Sequence, residues 1–80
     1  MNLSSSIERA ISLGYSVSFK REINQLQITV IHSDENETIL DKQNLPLRED
    51  HFNDVRICEC INFMVDRSNE ILTHRKKQHL

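Results

Sequence analysis

Apolar residues at Leu3, Ile7, Ala10 and Ile11 fall on one side of a helix, and they predict a short helix over residues 5–13. Ser5 and Glu8 have the Ser-x-x-Glu spacing of a capping box, with Ser4 to Ser6 as helix-start chemistry. Gly14, the only glycine, stands where that helix must stop and suits a left-handed C′ position. The period then shortens to two. Tyr15, Val17 and Phe19 alternate with Ser16, Ser18 and Lys20, the pattern of a half-buried strand. A turn at Ile23-Asn24-Gln25, where Asn24 tolerates a positive φ, leads to Leu26, Ile28 and Val30 alternating with Gln27, Thr29 and Ile31. The two strands form an antiparallel hairpin. Ile31 lies on its polar face, as a sheet-edge contact or part of an interaction surface.

Residues 33–37 form a polar turn, and Thr38 to Gln43 a third, shorter strand with a weaker pattern, because Ile39 and Leu40 fall on opposite faces. Asn44-Leu45-Pro46-Leu47 is expected to break the sheet, since proline has no amide hydrogen to donate. From Glu49 to Thr73 nothing interrupts a helix. At about 100° per residue, Ile57, Cys58, Cys60, Ile61, Met64, Val65, Ile71 and Leu72 share one broad face. Acids near its start and Arg75, Lys76 and Lys77 near its end suit the helix dipole. The fold class is therefore α+β in the order α-β-β-β-α: a small three-stranded antiparallel sheet with a short N-terminal and a long C-terminal helix on one face. The chain is a single domain over 1–80, with 73–80 a basic, frayed tail.

At this length the chain buries only roughly 60–65% of its unfolded surface. With no Trp, one Tyr and three Phe, aliphatic residues must carry the core, and a partner that buries more apolar area would help it. The long helix spans about 36 Å, whereas a seven-residue strand spans about 23 Å. Its apolar face continues through Ile71 and Leu72, and Phe63 projects into the polar side beside Arg56, Glu59, Arg67 and Glu70, with Phe52 and Val55 leaning the same way. These features predict a non-enzymatic interaction module that binds a protein partner, or a second copy as a homodimer, through Phe52, Arg56, Glu59, Phe63, Arg67 and Leu72.

Other chemistry is poorly provided for. Cys58 and Cys60 lie roughly 160–200° apart on a helix, so they read as core rather than as a disulfide or a metal pair. His32, His51, His74 and His79 lack the i, i+4 spacing of a helical metal pair, and read as surface residues. No cofactor, metal or small-molecule substrate is expected. Glycine-rich phosphate loops and the nucleophile elbow need several glycines. The N-terminus lacks the regions of a signal peptide. Apolar runs of three residues, as at 63–65, fall far short of a membrane span. Two cysteines do not make a disulfide scaffold. A cytoplasmic protein of a bacterium or phage fits these features.

Charge is uneven although the net charge is only −2. Residues 34–54 hold Asp34, Glu35, Glu37, Asp41, Glu49, Asp50 and Asp54 against Lys42 and Arg48, while Arg75, Lys76 and Lys77 face no acid in the last seven residues. One alternative function is weak, salt-dependent nucleic-acid binding through Lys20, Arg21, Arg75, Lys76 and Lys77. Another is a small acidic inhibitor or decoy of the kind encoded by phages and mobile elements. In element order and length the chain resembles the double-stranded RNA-binding domain. That family opens its second helix with a basic cluster and joins its first two strands by a histidine-bearing loop. Here those places hold the net acidic Arg48-Glu49-Asp50-His51 and the short, histidine-free Ile23-Asn24-Gln25.

Overall fold

A computed structural model of the chain describes residues 2–34, 38–47 and 53–78, the last three as helix backbone. The order is α1 (Leu3–Ser12), β1 (Tyr15–Arg21), β2 (Gln25–Ser33), β3 (Thr38–Pro46) and α2 (Asp54–Gln78). This is the α-β-β-β-α arrangement that the apolar spacing predicts. The sheet is an antiparallel meander with β2 central. Its register aligns Val17 with Val30 and Val30 with Asp41. One face therefore carries Tyr15, Val17, Phe19, Leu26, Ile28, Val30, His32, Ile39, Asp41, Gln43 and Leu45. Its apolar members other than Phe19, which stands 43% exposed, meet Ala10 of α1 and Ile57, Cys60, Ile61, Met64, Val65 and Leu72 of α2 in one core, with Leu3 and Ile7 packed on its margin. The other face is mostly polar, with Ile31 and Leu40 paired as an apolar contact across β2 and β3 and Pro46 at the end of β3.

Local chemistry moves several boundaries. The helix α1 starts earlier than the Ser5–Glu8 pattern suggests: Asn2 is the N-cap, and its side chain accepts the Ser5 amide at 2.8 Å. Asparagine and serine cap almost equally well, so packing decides between them. The earlier start brings Leu3 to the core margin and buries Ser6, whose Oγ accepts from Asn62 Nδ2 at 3.4 Å. No non-glycine residue among those described has a positive φ, so Asn24 does not use that freedom.

The strand β3 does not break at Asn44. It runs to Pro46 and places Leu45, 4% exposed, in the core. The Leu47 amide donates to the Asn24 carbonyl at 2.9 Å. Antiparallel bonding alternates along a strand, so the odd residues of β3 face β2 and the even ones face outward. Pro46 is even, and its missing amide hydrogen costs no ladder bond on this edge strand.

The helix α2 starts after Asn53, which accepts the Arg56 amide on its side chain at 3.0 Å and the Ile57 amide on its carbonyl at 3.1 Å. The predicted start at Glu49 lies outside the described residues. The C-terminal end extends past Thr73 to Gln78. The apolar face is as predicted, with two corrections. Ser68, only 1% exposed, completes the buried row 61, 64, 65, 68, 72, whereas Ile71 stands 39% exposed. Leu72 is buried, so the core reaches further along the helix than an overhang from residue 71 would allow. At 25 residues α2 is about 37 Å long. The radius of gyration, 13.7 Å, exceeds the roughly 12 Å of a compact chain of this length.

Gly14 ends α1 with φ +91°. A Cβ there would also stand 3.3 Å from His32 Nε2. Gly14→Ala is expected to cost roughly 1–2 kcal/mol from the left-handed backbone alone, seen as a lower urea midpoint with an unchanged slope. A loss under about 0.5 kcal/mol would contradict this role for the glycine.

Candidate functional site: the seam between α2 and β3

Side-chain contacts on three sides hold α2 against α1 and the sheet. On the α1 side, Arg9 bonds Asp66 at 2.6 Å and Asn62 at 3.2 Å. At the start of β1, the buried Tyr15 hydroxyl donates to Asn69 Oδ1 at 2.7 Å. On the β3 side, Arg67 Nε donates to Asp41 Oδ2 at 2.9 Å, and its Nη2 donates to the same carboxylate, a fork-on-carboxylate pair. The Asp41 side chain is only 15% exposed, because it lies on the helix-covered face of the sheet. Hydrogen bonding to that carboxylate raises the Arg67 pKa further above its usual value.

Arg67 also lies over the Phe63 ring, its guanidinium carbon 5.0 Å from the ring centroid. A cation held on a ring face at this distance is attracted by the ring quadrupole. One cation thus ties an exposed aromatic on α2 to a carboxylate on β3. Beside it lies an open groove of about 320 Å³ lined by Gln43 and Leu45 of β3 and by Arg56, Glu59, Cys60 and Phe63 of α2. A second hollow of about 300 Å³, lined by Asn53, Val55, Arg56 and Glu59, continues it toward the start of α2. Phe63 is 58% exposed, and Arg56 and Glu59 are exposed too.

The sequence-predicted set is therefore partly assembled. Arg56, Glu59, Phe63 and Arg67 share one flank of α2. Leu72 lies in the core, and Phe52 is outside the described residues. Asp41, Gln43 and Leu45 complete the site from β3. Sequence spacing gave no sign of them, because they meet α2 only through the tertiary fold.

The basic residues do not converge. Lys20 and Arg21 sit at the hairpin end of the sheet, level with Gln27 and Leu26. The helix α2 runs antiparallel to β3, from the groove at Leu45 to Arg67 at Asp41, so Arg75 lies about 12 Å farther from that end. Lys20 is also paired with Glu22 at 3.6 Å. The side chains of Lys76 and Lys77 lie outside the described residues. The acidic stretch is dispersed too: Asp34 follows β2, Asp41 faces Arg67, and Asp54 opens α2, while Glu35, Glu37, Glu49 and Asp50 are not described.

Among the described residues no three histidine, cysteine or carboxylate groups gather as a metal site, and no helix is long and apolar enough to cross a membrane. His32 leans on Tyr15 at 5.0 Å between ring centroids and leaves its buried Nδ1 without a partner. Both cysteines are free and buried. Burial pushes the Cys60 thiol pKa up, partly offset by the nearby Arg56 and Arg67 cations, while the Asp41 carboxylate adds to the rise. The thiol form dominates at neutral pH, and the thiolate is the reactive species. Labelling with a disulfide reagent at pH 7.5 is expected to be at least about tenfold slower in the folded chain than in urea. Equal rates would contradict the burial of Cys58 and Cys60.

No protein-family model matches the chain, and comparison with curated proteins and with solved structures finds no match.

Proposed function

We propose that this chain is a small, non-enzymatic protein-binding module whose docking surface is the seam between α2 and β3. The observation that carries the reading is the exposed Phe63, held over Arg67 and beside a groove between a helix flank and a sheet edge. Aromatic and arginine side chains are the types that most often anchor interfaces. In this seam they adjoin Leu45 and Cys60 at the groove floor and Arg56 and Glu59 at its rim. The backbone adds a second recognition element. The outward N–H and C=O groups of Leu40, Lys42 and Asn44 form the free edge of β3, where an added strand finds ready partners.

Phe63→Asp tests this reading. The side chain is more than half exposed, so the substitution is expected to leave the far-UV circular dichroism unchanged and to cost under about 1 kcal/mol of stability. Association is followed through a photo-reactive side chain at Glu59, with the purified chain and with purified candidates from the source cell. At least about a tenfold loss is expected in the variant, as for an anchor residue. Association of the folded variant at full strength, or no adduct from Glu59 in any mixture, would overturn the reading.

A further inference from the structure

We infer that the partner of the α2–β3 seam is a second copy of this chain, joined across a two-fold axis that passes between the two Gln43 residues and the two Phe63 residues. This rests on the seam being the docking surface. It adds the identity of the partner and the register of the contact.

The helix supplies the first argument. Along the exposed flank of α2, Arg56, Glu59, Phe63, Arg67 and Glu70 occur in that order. Relative to Phe63 the charges are antisymmetric: arginine lies seven residues before and glutamate seven after, while glutamate lies four before and arginine four after. Two copies of this helix laid antiparallel about Phe63 set Arg56 level with the partner's Glu70 and Glu59 level with the partner's Arg67. The aromatic rings meet at the centre. A parallel arrangement in register would instead oppose each charge to its like. Arg67 already serves Asp41, but a guanidinium has five donors and can take a second carboxylate.

The strand supplies the second argument. The outward-facing residues of β3 are Leu40, Lys42, Asn44 and Pro46. A two-fold antiparallel pairing of β3 with itself must be centred on one residue. Centring on Asp41 opposes two aspartates, and centring on Lys42 opposes two lysines, both unfavourable. Centring on Asn44 sets Lys42 against the partner's Pro46, which has no amide hydrogen to give, and centring on Leu40 opposes two leucines but moves the axis about 10 Å along the strand from Gln43. Centring on Gln43 opposes two neutral amides. Lys42 then exchanges both backbone bonds with the partner's Asn44, and the Leu40 amide donates to the carbonyl of the partner's Pro46. The Leu40 carbonyl finds no donor at Pro46, so one ladder bond is missing at each end of the pairing.

The two registers share one axis. From Asp41 to Gln43 is about 7 Å along a strand, and from Arg67 back to Phe63 is about 6 Å along a helix. Asp41 and Arg67 are bonded, so Gln43 and Phe63 stand level, and both line the same groove. The charge pattern of the helix selects Phe63, and of the neutral centres that the strand allows, Gln43 is the one level with it. Two β3 strands about 4.8 Å apart, each with α2 over the β2–β3 side of its own sheet, also bring the helices near the 8–10 Å of packed pairs. The resulting sheet is continuous and six-stranded.

A charge exchange tests the inference on the full chain. Arg56 and Glu70 are both exposed, so Arg56→Glu and Glu70→Arg should leave the fold intact. Each variant alone opposes like charges across the axis and is expected to weaken its own dimer about tenfold. Mixed in equal amounts, they restore both opposite-charge pairs. Native mass spectrometry, which separates the two variants by mass, should then find the heterodimer in excess of the statistical proportion. A statistical mixture, with single variants dimerising like the wild type, overturns this register; if that dimer is still lost on Phe63→Asp, the seam reading survives. A wild-type chain that remains monomeric to about millimolar concentration, below the weakest affinity useful to a cell, overturns the second-copy inference. A dimer indifferent to Phe63→Asp removes the seam reading and this inference together.

Discussion

The packing of α2 on the central strand is the contact on which the rest of the molecule depends. Ile28 and Val30 on β2 and Ile61, Met64 and Val65 on α2 are all fully buried. A three-stranded sheet has one central strand, and the described helices cover one face of this sheet. The core is therefore a single layer of side chains between sheet and helices. The helix α1 closes one margin of that layer through Ala10, Leu3 and Ile7. Among the described residues, the opposite margin, along β3, is closed by Arg67 and by the edge of Leu45. The asymmetry follows from having one short helix to spend on two open sides. It leaves a groove on the β3 side, where Phe63 stands exposed.

That margin is also where polar chemistry is concentrated. An aspartate on the covered face of a sheet would be costly without a partner. Arg67 satisfies Asp41 with two donors, and in doing so sets the position of α2 along β3. The same guanidinium rests on Phe63. Fold and surface are thus linked through one side chain: what fixes the helix on the sheet also holds the exposed aromatic in place. Both cysteines are buried, and burial raises the pKa of Cys60, so the unreactive thiol form dominates where Cys60 meets the groove.

Much of the architecture is legible in the sequence, because its two periodicities are clean. The alternation of Leu26, Ile28 and Val30, and the recurrence of Ile57, Ile61, Met64 and Val65 at helical spacing, specify the sheet face and the helix face that meet. Ser68 escapes that reading because a hydroxyl scores as polar wherever it sits. Pro46 reads as a breaker because its cost depends on whether its nitrogen faces the ladder or the solvent, which only the register decides. Asn2 and Ser5 are equivalent caps locally, and the burial of Ser6 chooses between them. The helix half of the candidate site, Arg56, Glu59, Phe63 and Arg67, is visible as a stripe of charge around a misplaced aromatic. The strand half, Asp41, Gln43 and Leu45, is not, since nothing local to β3 marks which residues α2 will cross. Leu72 looked available only because the core seemed to end before it.

The most direct measurement of the central claim is amide hydrogen exchange, read residue by residue, as protein concentration is raised. If the β3 edge is the place where two copies meet, the outward amides of Leu40, Lys42 and Asn44 exchange more slowly as concentration rises. The outward amides of Val17, Phe19 and Arg21, on the β1 edge, keep their rates. Unchanged exchange at the three β3 amides at concentrations where the chain is dimeric, or slowing on the β1 edge instead, would contradict the account.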